Sequence, residues 1–148
     1  MPPLSASVSP RPPRSKLVAS VLALLLGVVG AHHWYLRRRF AWLTTLAAFG
    51  CMALAVQVDP WWDTPAFLVL FIPMIDGFIE AAVLSLMPAD RFDRRYNPKG
   101  GTGGPVGVGA VLVALASALF GGVFGMFAVA MVVLYVYRSM GWLDGLAY

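Results

Sequence analysis

The stretch Arg14–Arg39, RSKLVASVLALLLGVVGAHHWYLRRR, constrains this chain most, because an uncharged run long enough to leave water is closed by three consecutive arginines. Leu17 to Ala31 carries no charge, and the amphipathic tail His32, His33, Trp34, Tyr35 and Leu36 extends the run to twenty residues. Twenty helical residues rise about 30 Å, the thickness of the hydrocarbon core of a bilayer. Arg37, Arg38 and Arg39 return the chain to water. Ala19, Ala23, Gly27 and Ala31 recur every fourth residue, a small-residue stripe that invites another helix to pack closely, with Gly30 as a further notch.

Composition sets the class. A chain of 148 residues with 59% hydrophobic and 12% charged residues and a mean hydropathy of +0.76 is an integral membrane protein rather than a soluble domain. Its eleven Lys and Arg against seven Asp and Glu gather in short connections, which bears on orientation and lipid headgroups. Basic and aromatic residues do not interleave along a stripe, so nucleic acid is not an expected partner. Cys51 stands alone, which excludes an intramolecular disulfide and a multi-cysteine metal site and leaves it as a small packing residue.

Further along, residues 1–15 hold five prolines and four serines and read as a disordered tail. The first helix spans about 17–36. Arg11, Arg14 and Lys16 before it, with Val29-Gly30-Ala31 as a cleavage site, also fit a secretory signal, although the apolar length beyond Ala31 weighs against cleavage. A second helix spans about 40–58, with Ala47, Cys51 and Ala55 as a small face able to meet the first stripe. Asp59 to Pro65 carries two prolines and the Trp61-Trp62 pair, which suits a turn in the headgroup layer.

The third run, about 66–87, contains Asp76 and Glu80 one helical turn apart, so both point to the same side. Pro73 adds a kink. An ionised carboxylate near mid-bilayer costs roughly 3 kcal/mol and needs a partner, a proton or water. If the first and third helices run antiparallel, His32 and Glu80 share one side of the midplane, with Arg37 able to reach inward. His32, Arg37, Asp76 and Glu80 are therefore the expected intramembrane polar cluster. The adjacent histidines point about 100° apart on a regular helix, so they lack the i, i+4 spacing of a helical zinc motif; no metal or cofactor is expected, a metal at His32, Asp76 and Glu80 being the one conceivable site.

From Pro88 the composition turns polar and ends in Gly100-Gly101-Thr102-Gly103-Gly104, a soluble connector with a flexible linker at 99–105. It lacks the Lys-Ser/Thr ending of a phosphate-binding loop. The last apolar run, 106–138, repeats small residues at Ala110, Ala114, Ala118 and Gly122 and is expected to be one long spanning helix, followed by a tail at 139–148. The expected fold is thus all-α, a small polytopic membrane bundle of four transmembrane helices, or three if the first is cleaved. Four crossings put both termini and the tryptophan turn on one side with four basic residues. The other side, holding the arginine turn and the connector, has seven and is expected to be cytoplasmic. The three basic residues ahead of the first helix pull the other way.

The residues also carry a resemblance. Lys16-Leu17-Val18-Ala19, followed by Gly27-Val28-Val29-Gly30-Ala31-His32-His33-Trp34-Tyr35-Leu36, resembles the TM2 domain signature, a basic start, an apolar run and G-x-x-G-x-H-x-F-Y-L-G. Ile75-Asp76 is similar to that family's Ile-Asp pair, and Arg95-Tyr96-Asn97 to the Arg-Tyr-Asn ending of bacterial members. Trp34 replaces Phe, and Arg37 stands where the family has Gly. About forty residues separate Tyr35 from Asp76, longer than the family's compact hairpin. The resemblance covers Ser15 to Pro98, makes Gly27, Gly30, His32, Tyr35 and Asp76 motif positions, and implies a multi-pass protein of the bacterial inner membrane with no assigned reaction.

Two functions follow as expectations. One is a non-catalytic membrane protein acting by helix packing with itself or another membrane protein, as scaffold, assembly factor or regulator, its other partner being the lipid bilayer. The alternative is a transport or proton-coupled component using Asp76 and Glu80. No serine or cysteine is spaced with a histidine and an acid as a nucleophile would be, so an enzyme is not expected.

Overall fold

Helix α1 (Lys16–Leu26) opens at Ser15, whose extended backbone and Oγ receive the Val18 amide as an N-cap. In the computed structural model, which describes residues 13–98, 106–143 and 145, the helix does not continue to residue 36 as expected. A 3₁₀ turn, Gly27–Val29, follows it, and Gly30 takes the left-handed conformation at φ 71°, its amide bonded to the Gly27 carbonyl. Side chains rarely adopt that conformation, which is why glycine stands at the break. The short α2 (Ala31–Tyr35) then folds back along α1. The Tyr35 hydroxyl accepts the Ser15 amide at 2.9 Å, and Leu36 packs beside Ala19. The chain therefore leaves this hairpin at the end where it came in.

Helix α3 (Ala41–Ala55) buries Ala41, Ala48 and Ala55 and ends against α4 (Pro65–Val69), which Thr64 caps by accepting the Phe67 amide. Pro73 has no amide to offer the Val69 carbonyl, and the helix is interrupted at Leu70 before resuming as α5 (Phe71–Leu86). Helix α5 runs antiparallel to α1. Gly27 meets Gly77, Ala23 meets Ala81, Ala19 meets Leu84, and the Lys16 ammonium donates to the Met87 carbonyl at 3.0 Å. The small stripe of α1 thus packs on α5, not on the Ala47, Cys51, Ala55 face of α3. At the closest point a Cβ on Gly77 would lie 2.5 Å from the Gly27 Cα, so only two glycines permit this approach.

The polar connector is not merely a linker. Ala89–Tyr96 forms α6, a helix that starts after Pro88 and buries Phe92 and Tyr96, one turn apart, against Ala19, Leu36 and Leu84. Arg14 and Asn97 then bond reciprocally, the Arg14 amide to Asn97 Oδ1 at 2.8 Å and Asn97 Nδ2 to the Arg14 carbonyl at 3.0 Å. The expected tail at 1–15 for the most part, and the linker at 99–105, lie outside the described residues. So does most of the end of the 139–148 tail.

Helix α7 (Val108–Ser139) is a single helix, thirty-two residues long, antiparallel to α5. Val113 sits by Ala81, Phe124 stacks on Phe78 at 5.7 Å, and Phe127 meets Phe71 edge-on at 5.9 Å. Arg138 pairs with Asp63 at the far end. Among the described residues no strand occurs. Among the described residues, two segments are long and apolar enough to cross a bilayer, Pro65–Leu86 and Val108–Ser139, while Lys16–Val29 and Ala41–Ala55 fall short of that length. Four full-length spans were expected; the shortfall comes from the glycine break in the first and the early end of the second.

Candidate functional site

The cluster forms where α2, folded back, lies across α5. His32 and His33 are both buried, and their rings lie 4.0 Å apart between centroids, tilted by 58°. The 100° divergence expected from neighbouring helical positions does not keep them apart, because both rings converge on a third group. That group is Glu80: His32 Nε2 stands 2.8 Å and His33 Nδ1 3.7 Å from its Oε2. Despite the first distance, the two atoms are not aligned for a hydrogen bond. Among the described residues, both nitrogens of His32, Nδ1 of His33 and Oε2 of Glu80 are buried with no hydrogen-bond partner. Buried polar atoms left in this state are uncommon and costly.

The other carboxylate oxygen is held firmly. Arg38 Nη1 donates to Glu80 Oε1 at 2.5 Å. Burial works against the Arg38 charge, but hydrogen bonds with Tyr96 and Glu80 outweigh it and raise its pKa above the ordinary arginine value. The guanidinium stays charged. Arg37, expected in this role, is exposed instead, and the reason is the end of α2. The Arg38 amide bonds to the His33 carbonyl and the Arg37 amide to the Trp34 carbonyl, each at 3.0 Å, with Arg37 at φ 53°. This is a Schellman ending, and it throws Arg37 outward while turning Arg38 back toward α5. Nothing in the residue types distinguishes three adjacent arginines, so this choice had no signal in the sequence. That a non-glycine residue would follow α2 in the left-handed region was visible only through the family's Gly at that position.

The remaining site expectations divide. Glu80 lies at the histidines, whereas Asp76, one turn earlier, is exposed, with its charge still acting on His33. Among the described residues no ion pair or hydrogen bond joins Asp76 to another group. Tyr35 and Gly30 serve the hairpin, through the Ser15 amide and the positive φ. Gly30 also faces Thr44 of α3, where a Cβ would come within 3.0 Å of the threonine Cβ. Trp34, in the place of the family's Phe, donates its Nε1 to Thr45 Oγ1 at 2.8 Å, and that hydroxyl in turn bonds to the Val29 carbonyl at 2.9 Å. Of the stripes, Ala19, Ala23 and Gly27 face α5, while Ala31 begins α2 and leaves the row. On α7, Ala110 is buried, Ala114 half-buried, and Ala118 and Gly122 exposed. Beside them runs an apolar groove of about 310 Å³ between α5 and α7, lined by Phe78, Ile79 and Gly121 among others. A second, open cleft of about 250 Å³ lies between Trp34, Trp42 and the three arginines, and shares Arg38 with the buried cluster.

This hairpin, with its glycines, histidine and tyrosine, coincides with a family match. Residues 12–61 match the TM2 domain. The match covers α1, α2 and α3 and ends before α4, so Glu80 and α6 lie beyond the matched residues although they complete the packing of the TM2 segment. Together with the two apolar helices, the TM2 match marks a membrane protein. No curated protein and no solved structure matches the chain.

Proposed function

We propose that this TM2-containing protein is a non-catalytic, multi-pass component of the bacterial inner membrane that acts by helix packing with itself or with a partner membrane protein, as a scaffold, assembly or regulatory element. The observation that carries this reading is the state of α7. Only 6% of its most apolar window is buried, and Gly122 and Gly125 have open space where a Cβ would stand. Lipid covers a leucine surface as well as protein does, so uncovered apolar area alone says little. Open glycine notches beside a groove differ, because they let a second backbone come close.

The decisive substitution is Gly122→Leu, since Gly27 is already used inside the chain against Gly77. The expected result is a fall in association, measured by energy transfer between labelled chains in liposomes, with helix content unchanged. Association unaltered by Gly122→Leu would overturn the reading.

A second reading, a transport or proton-coupled component, draws support from the buried contact of His32 with Glu80 and from Asp76 one turn away. pH-driven flux in liposomes, lost in Glu80→Gln, would favour it over packing alone.

A further inference from the structure

We infer that His32, His33 and Glu80 form a binding site for a divalent transition-metal ion of the zinc type. One ligand atom from each of His32, His33 and Glu80 lies within 4.8 Å of the other two, brought together from α2 and α5. Among the described residues, both nitrogens of His32, Nδ1 of His33 and Oε2 of Glu80 are buried without a hydrogen-bond partner. Ordinary core histidines donate or accept through their ring nitrogens, and a carboxylate oxygen out of water seeks a donor. Here three such groups converge with only the 2.8 Å approach of His32 Nε2 to Glu80 Oε2 between them and no aligned hydrogen bond, an arrangement that a shared cation would complete.

The spacing supports this. Zinc bound at about 2.0–2.1 Å by nitrogen and oxygen in tetrahedral array sets its donors about 3.3 Å apart. The two donor separations to Glu80 Oε2, 2.8 and 3.7 Å, fall on either side of that value. Two imidazoles and one carboxylate suit zinc and neighbouring borderline cations and not calcium or magnesium, which take mostly oxygen. Three protein ligands leave a fourth position for water. Arg38 supplies the outer support: by holding Glu80 Oε1, it turns Oε2 toward the histidines. Its positive charge also lowers affinity, so the site binds more weakly than one with a neutral second shell.

The chain has only two histidines and one cysteine, so imidazole ligation of a bound ion is assigned without ambiguity. The test uses the full chain in detergent, purified with an affinity tag free of histidine. Zinc retained after dialysis is counted by plasma mass spectrometry, and the Co²⁺-loaded protein is examined for the visible absorption of low-coordinate cobalt. The expected result is one ion per chain, with affinity falling at least about tenfold in His33→Ala and in Glu80→Gln while helix content and monodispersity hold. Unmutated protein that retains neither ion, or whose cobalt spectrum is that of the hexa-aqua ion, overturns the site. So does binding that survives both substitutions in folded protein. Should either variant unfold, the count and spectrum of the unmutated chain decide alone.

Discussion

Arg37 occupies backbone that favours glycine, at φ 53°, and it does so at the position where the TM2 signature has Gly. An L-residue with a side chain pays roughly 1–2 kcal/mol to hold the left-handed conformation. Arg37 is exposed and, among the described residues, its side chain makes no ion pair or hydrogen bond that would offset the cost, while the neighbouring Arg38 does the pairing with Glu80. Arg37→Gly is therefore expected to stabilise the protein, by about 1 kcal/mol after the larger backbone entropy of glycine in the unfolded chain is deducted. Thermal unfolding in detergent, compared with an Arg37→Ala control that keeps the strain, measures it. The sequence showed the departure from the family pattern but not its meaning, because a conformational strain has no signature in residue type. It paired His32 with Glu80 on the premise of one unbroken first helix antiparallel to the third, whereas the two meet through α2, which folds back after Gly30. It missed His33, since the second ring reaches the same carboxylate only through the short, folded-back geometry of α2.

At the scale of elements, the contact of α1 with α5 rests on the glycine pair. Gly77→Ala puts a methyl 2.5 Å from the Gly27 Cα, against backbone that cannot yield, so the two helices must part. The expected loss is about 1–3 kcal/mol by the usual cost of overpacking. Gly50→Ala, on α3 with open space around it, is the control and is expected to gain about 0.5–1 kcal/mol as alanine replaces glycine in a helix. Equal stability of the two variants in a denaturant titration would contradict the packing described. The four-residue spacing of Ala19, Ala23 and Gly27 made this face legible beforehand; its partner was not, because α3 and α5 both offer small residues. Helix α6 was hidden by its composition. Phe92 and Tyr96, one turn apart after Pro88, were the available sign, and the arginines around them outweighed it.

For the whole molecule, the fold-back at Gly30 changes the bookkeeping of charge. Arg14, Lys16, Arg38 and the helix bearing Arg91, Arg94 and Arg95 come together at one end, tied by the bonds among Arg14, Leu36, Tyr96 and Asn97. Asp59, Asp63 and Arg138 belong to the other end. Arg14 and Lys16, which opposed the arginine turn when α1 was read as a full crossing, now lie with it. With the basic end taken as cytoplasmic, the prediction is a cytoplasmic start of α1 and an external end of α7. Reporter fusions check this: a fluorescent protein at the amino terminus should glow, and alkaline phosphatase joined after Met140 should be active. Activity of the phosphatase at both termini would restore the arrangement with both ends outside.

The returning hairpin also bears on how such a chain enters the bilayer during synthesis. Because α2 brings the polypeptide home to its starting side, Arg37, Arg38 and Arg39 never need to travel through hydrocarbon, where each guanidinium at mid-depth is charged about 2.5–3.5 kcal/mol. A biosynthetic inserter handling this segment would have only to accommodate a loop of neutral residues from one face, leaving the triplet among headgroups until α5 arrives and Glu80 pairs with Arg38.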